Sequence, residues 1–510
     1  METAKIKIQE LHEHLYQKAK NEALSYPGFY STSLKKYAIA YQKSLPDTFA
    51  TSSVNDVIAS VLKTKLLLFA DFHTLKQTQQ GLIKFLKELL LRSKDNTTIM
   101  LEAFRYSDQD ILDSFIDKKI DEKEFLLKTN YYRSWGFPWE NYQPILEFAQ
   151  TNNLKVLGIN TDDAGKDSLQ KRDKFAAHIM EDLLKRDPQQ TIVCLIGEYH
   201  LGDKNLVKYF NKIKPTRLFT NVDRYYFKEA SITNPPEYLY LKERCFCLMN
   251  SPPWMKWQSY CLWEETRSSY IEQSSDQEED QDSEESLDLE YHTHSIINHL
   301  ANLIQLNLSE LDLARFSIER KRSHQSMLHK DQIDSSFTEI KRPQFTFDLY
   351  SNTIILHDIS LNTLAEISGK YLHNIKSPKY NQNDILGSFC HQALNQAAGT
   401  ITANILNPNY DSSLSNLDIS ECTLGSVPNE CENKACSYTN SIIKEYRQNR
   451  IESLKCMSIY KNDIKYKYNI SALIGKYIGN VIYQKAINNN STIDPIRDIF
   501  LASTKKTTSI

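Results

Sequence analysis

Glycine is scarce, 13 in 510 residues, and neither GxGxxG nor GxxxxGK[ST] occurs. Glycine-looped nucleotide sites are therefore disfavoured, because such loops need backbone that approaches phosphate without a Cβ. No run of 18 apolar residues exists, so no transmembrane helix is expected. The residues after Met1 contain no apolar h-region, so a signal peptide is not expected either. The nine cysteines are dispersed and form no CxxC. Cys245 and Cys247 are too close for zinc spacing, and Cys422, Cys431 and Cys436 too far apart for a zinc knuckle. Reduced thiols in a cytoplasmic protein are the expectation. A net charge of −3 makes no case for nucleic-acid binding.

What is present is apolar enough to fold. Apolar residues make up 41% of the chain and aromatics 11%, which excludes a wholly disordered protein. At roughly 150 residues per domain the length suggests two to four folded units. Residues 272–290 hold ten acidic residues and no basic ones, and they read as a self-repelling linker. Setting those ten aside leaves 61 basic against 54 acidic residues, so the folded parts are mildly basic. Four segments follow: N-terminal helices over 1–60, an α/β domain with an aromatic extension over 61–271, the linker, and a mainly helical module over 291–510. The last is the place for a protein partner.

Between 61 and 225, short apolar runs alternate with helical patterns. The runs are Leu66–Ala70, Thr98–Leu101, Val156–Ile159, Ile192–Ile196 and Leu218–Val222. One helical stripe carries Leu75, Leu82, Leu86 and Leu89; another carries Phe175, Ile179, Met180, Leu183 and Leu184. Apolar strands separated by amphipathic helices predict a parallel sheet flanked by helices. In 291–510 a hairpin is expected where Phe345, Phe347 and Leu349 alternate with polar residues before Thr353–Leu356. A helix over Asn469–Ile487 carries Gly475 and Gly479, a pair that points to close helix packing. Residues 408–437, rich in Asn, Ser and Asp, read as a long loop.

The chemistry gathers at the strand ends. The first strand runs into Asp71-Phe72-His73, the second into Glu102, the third into Asn160-Thr161-Asp162-Asp163, and the fourth into Gly197-Glu198-Tyr199-His200. In a parallel sheet these ends share one rim, where ligands bind. Two ends repeat acid-x-His. In extended backbone, residues two apart point to one side, so each tip is expected to project a carboxylate and an imidazole together. Asp71, His73 and His200 suit a divalent metal such as Fe, Mn or Zn, with Glu102 or Glu198 as catalytic base; a Glu/His pair also suits metal-free water activation. His12, His14, His292 and His294 read as surface residues, and His324, His329, His357, His373 and His391 as packing or surface residues.

All five tryptophans fall in two aromatic clusters, Tyr131–Tyr142 with Trp135 and Trp139, and Trp254–Trp263. Such rings either wall a planar ligand or pack domains together. Ser107 and Asp121 are candidate caps for a helical hairpin that returns Trp135 and Trp139 toward the rim.

The pieces Ala70–His73, Leu101–Phe104, Trp135–Ala149, Gly158–Asn160 and Gly197–His200 resemble, in order and spacing, the ChaN-like haem-binding, iron-regulatory family of the haem-binding uptake/Tiki superfamily. The likeness spans roughly residues 60–225. It implies a parallel α/β domain with His73, Glu102, Glu198 and His200 at its functional rim. It implies haem or iron handling, and metal-dependent peptidase or esterase chemistry as in more distant relatives. Ala70-Asp71 stands where the family usually has Gly-Glu, which shortens one carboxylate. Three functions stay open: a haem or iron binder, a metal-dependent hydrolase of a small molecule or peptide, and a non-catalytic scaffold with a vestigial site.

Overall fold

The computed structural model describes residues 3–26, 31–92, 96–161, 168–228, 237–272, 289–314, 316–320, 345–348, 353–356, 360–377, 385–410, 467–489 and 491–502. The greater part of the acidic linker, nearly all of the expected 408–437 loop with Cys422, Cys431 and Cys436, and Asp162, Asp163, His324, His329 and His357 lie outside the described residues. Two compact units result: His14–Leu287, and Met1–Glu13 with Asp288–Ile510.

The first unit is built on an eight-stranded sheet: β1 (Ala50–Ser52), β2 (Leu66–Asp71), β3 (Thr97–Arg105), β4 (Lys155–Asn160), β5 (Thr191–Gly197), β6 (Thr216–Thr220), β7 (Tyr238–Lys242) and β8 (Cys245–Leu248). Their order is β1-β7-β8-β6-β2-β5-β3-β4. β8, β6, β2, β5, β3 and β4 run parallel; β7 is antiparallel to both β8 and β1. The five apolar runs of the sequence became β2 to β6. The short strands β1, β7 and β8 did not announce themselves by periodicity.

Both faces of the sheet are covered, as the near-continuous apolar strands require. Along β2, Leu67 and Phe69 enter one core, with helices Val54–Thr64, Lys76–Leu90 and Trp139–Asn152. Leu66, Leu68 and Ala70 enter the other, with helix Ser168–Arg186. Edge strand β4 is closed by a side chain: Gln109 Nε2 donates to Val156 O at 2.9 Å, and its Oε1 accepts from Gly158 N at 3.1 Å. That amide takes the place of a further strand and blunts edge-to-edge pairing.

From β2 the chain winds out to β3 and β4, returns to β5, and then continues on the far side of β2 to β6 and β8. The winding reverses between β2 and β5. The carboxyl ends of β2, β5 and β3 therefore bound the crevice where open α/β sheets bind ligands.

The second unit is mainly helical. It contains Leu289–Leu303, Leu361–Lys376, Ile385–Leu406, Lys467–Asn488 and Asp494–Leu501. The expected hairpin is there, with β10 (Phe345–Asp348) antiparallel to β11 (Thr353–Leu356); β9 (Ser317–Arg320) adds a parallel third strand. A Cβ on Gly475 would lie 2.4 Å from Ala393 O, and one on Gly479 2.7 Å from Ala397 O, so these glycines allow the close helix contact expected of them. His12 corrects the sequence reading. It is fully buried, with Nε2 2.6 Å from Ile405 O. His292 is also buried. A contact 393 residues away in the chain leaves no local signal. Among the described residues no helix is long and apolar enough to cross a membrane.

Candidate functional site

Two His–carboxylate groups stand at the carboxyl ends of β2, β3 and β5. In the first, Asp71 closes β2 and is buried. Its Oδ2 lies 2.9 Å from His73 Nδ1 and accepts from Tyr142 OH at 2.7 Å, while Oδ1 accepts from Gln79 Nε2 at 2.5 Å. Gln79 comes from the helix after β2, and Tyr142 from helix Trp139–Asn152. His73 is also tied by its backbone, whose carbonyl accepts from Asn141 Nδ2 at 3.0 Å. Burial pulls the His73 imidazole down, but the Asp71 carboxylate outweighs it and leaves the ring above its ordinary value.

In the second group, Glu102 of β3 faces the opposite layer. Its Oε1 lies 3.4 Å from His200 Nε2 and 3.8 Å from an Arg172 guanidinium nitrogen, and its Oε2 accepts from Gly197 N at 2.7 Å. His200 Nδ1 is closely paired with Asp173, which also accepts from Tyr37 OH at 2.8 Å. Burial disfavours ionised Glu102, yet His200, His73 and Arg172 outweigh it and hold the carboxyl far below its usual range. Burial likewise opposes charge on His200, but Asp173 and Glu102 push it up to about 10.

Gly197 joins the two groups. A Cβ there would come within 3.2 Å of His73 Nε2 and 3.3 Å of Glu102 Oε2. The missing side chain leaves the space that this imidazole and this carboxylate border.

Glu198 does not share that space. Gly197 ends β5, and Glu198–Leu201 forms a turn of 3-10 helix rather than extended strand. The two-residue alternation therefore fails, and Glu198 and His200 separate. Glu198 Oε2 pairs with Lys256 Nζ at 2.8 Å and accepts from Tyr41 OH at 3.4 Å. Lys256 lies 3.9 Å from Asp223 as well, and these two acids overcome its burial and keep it protonated.

Asn160 ends β4, and its Oδ1 accepts from Thr161 N at 2.9 Å and from Arg172 at 3.3 Å. The tryptophans divide. Trp135 packs on His73 with ring centres 4.6 Å apart, and Phe137 approaches the same imidazole at 4.6 Å. Trp139 is 3% exposed and sits in the core against Phe115, Phe125 and Tyr131, away from the rim. The second aromatic cluster lies on helix Pro253–Glu272 and meets the first. Trp263 stacks on Phe137 at 4.7 Å, and its indole N–H donates to Gly136 O at 2.7 Å. Gly136 has a φ of 77°, a left-handed turn that glycine adopts without strain.

Among the described residues, no group of three or more His, Cys, Asp or Glu side chains is arranged to hold a metal ion. Asp71, His73 and His200, expected as a metal set, form no such group. Hydrogen bonds occupy both Asp71 oxygens, and both His200 nitrogens face carboxylates.

Sequence reasoning missed Arg172, Asp173 and Lys256. Asp173 had a signal: it lies three, four and seven residues before Ala176, Ala177 and Met180, on the buried face of its helix. A charge at a core position calls for a partner.

The fold and this rim define an α/β domain with charged side chains gathered at the carboxyl ends of its parallel strands. Residues 57–177 match the family described as haem-binding uptake, Tiki superfamily, ChaN. A solved structure described as cofacial heme binding to ChaN of Campylobacter jejuni is similar at 17% identity, covering 34% of this chain and 87% of that one, with a TM-score of 0.26. No curated protein matches.

Proposed function

We propose that the α/β unit binds haem, with His73 as the iron-ligand candidate and Trp135 and Phe137 as the rings beside the macrocycle. The family match over residues 57–177 supports this, and that span includes Asp71, His73, Trp135 and Phe137. The observation that carries it is the setting of His73. Its Nδ1 is tied to Asp71, and a carboxylate on that nitrogen fixes the tautomer and raises the basicity of the other one. Its side chain is 22% exposed, against 8% for His200. Gly197 leaves room in front of Nε2, the nitrogen that would meet iron. Imidazole is a common axial ligand, and aromatic rings suit a flat apolar partner. When bound, the iron would supply redox chemistry or serve as cargo. The chain's own residues orient the imidazole and wall the crevice.

The hydrolase reading has less support. A general base works best with a pKa near the working pH. Glu102 is held far below that by the cations around it, and Glu198 is engaged by Lys256. Haem titration of the purified protein, read by absorbance, tests the proposal. An intense haem band should appear in the wild type, and His73→Ala should weaken binding at least tenfold and shift the band. Absence of any haem-dependent change in the wild type would remove the reading.

A further inference from the structure

Arg172 is under-used where it stands. Its guanidinium has a hydrogen bond of 3.3 Å to Asn160 Oδ1 and a looser contact of 3.8 Å to Glu102 Oε1. Its Nε is buried with no hydrogen-bond partner. A guanidinium offers five donors in a rigid fork, and a carboxylate can take two at once. Asp173, the next residue, does not fill the fork, because its oxygens are given to His200 and Tyr37.

The carboxylate beside Arg172 is not at hydrogen-bond distance from it. Glu102 Oε1 stands 3.4 Å from His200 Nε2 but 3.8 Å from the Arg172 guanidinium, so it does not fill the fork. Asp71 and Asp173 bind the outer sides of the two imidazoles and do not neutralise Arg172 directly. The Arg172 side chain remains 25% exposed, so the group can be reached from solvent.

We propose that Arg172, positioned by Asn160, is a carboxylate-binding subsite of this crevice. It would read the acidic group of a ligand whose flat, apolar part lies against Trp135 and Phe137. The inference rests on the haem reading for its ligand class, a porphyrin bearing free carboxylates, and it assigns the chain's own determinant for that acid. Asn160 is the positioning residue, since it holds the guanidinium at the carboxyl end of β4.

The experiment separates carboxylate recognition from iron ligation. Iron-free protoporphyrin IX and its dimethyl ester are titrated by fluorescence into the full chain, wild type and the variants Arg172→Gln and Arg172→Lys. The wild type should prefer the free acid by about tenfold or more, equivalent to about 1.4 kcal/mol. Arg172→Gln should abolish the preference while the ester binds as before. Arg172→Lys should restore part of it, because a point charge remains without the fork. Unchanged ester binding in each variant also serves as the check on folding. A free-acid preference that survives Arg172→Gln would overturn the subsite and leave the haem reading intact. Failure of both porphyrins and of haem to bind the wild type would overturn both.

Discussion

Replacing Lys256 by Met tests how the charged rim is held. Lys256 Nζ sits 2.8 Å from Glu198 Oε2, and the two side chains are 5% and 6% exposed. Removing the ammonium strands Glu198 in a low-dielectric site with Tyr41 OH at 3.4 Å. Asp223 is better placed, because Trp257 Nε1 donates to it at 2.9 Å and Lys20 lies 3.6 Å away. The loss should therefore fall on Glu198, and breaking one side of a buried pair costs about 3–5 kcal/mol. The double variant Lys256→Met, Glu198→Gln removes both charges and should recover a large part of that loss. All five tryptophans lie between 135 and 263, inside the α/β unit, so urea unfolding followed by tryptophan fluorescence reports that unit selectively. A cost below about 1 kcal/mol for the single variant, or a double variant no better than the single one, would refute the reasoning.

The helical unit should weaken on mild acidification. Burial lowers His12 to about 4 and His373 to about 3, so between pH 6.5 and 5 the unfolded chain takes up protons that the folded unit does not. Stability then falls with pH, by about 2 kcal/mol for each of the two by pH 5. Far-UV circular dichroism in urea should show this loss, and the double variant His12→Gln, His373→Gln should be much less acid-sensitive. The α/β unit should respond at the other extreme: His200, pushed up to about 10, contributes stability below pH 6.5 that is lost as pH rises through that value, seen as an alkaline fall in the tryptophan-detected midpoint. Trp135 and Trp139 should also part company. Trp139→Ala should cost about 3–5 kcal/mol of stability as a core truncation, whereas Trp135→Ala should cost less and chiefly weaken haem binding. Equal stability losses would contradict their different burial.

Much of the architecture was legible because burial on both faces writes itself into a strand. The five runs that became β2 to β6 had to be apolar throughout, and the helices between them had to show an apolar stripe. The Asp121 cap was readable for the same local reason, and it accepts from Glu124 N at 2.8 Å. The Ser107 cap was not realised, because Tyr106–Asp108 forms a 3-10 turn and the helix begins at Gln109. Strands β7 and β8 are short and lie between the edge strand β1 and β6, so their pairing depends on neighbours distant in the chain.

The sequence alone determined which chemistry reaches the rim: Asp71, His73, Asn160, Glu198 and His200 stand at or just beyond strand ends, and Glu102, inside β3, follows the last residue of β3 paired with β5. Tertiary structure decided how they are partnered. A turn of 3-10 helix sent Glu198 to Lys256 and left His200 between Asp173 and Glu102. Helix Ser168–Arg186 delivered Arg172 and Asp173 from another layer, and helix Trp139–Asn152 brought Tyr142 to Asp71 while burying Trp139. The physical reason is range. Periodicity and strand ends are properties of a few consecutive residues, whereas partnering in a buried charge network depends on distances of a few ångströms between residues far apart in the chain.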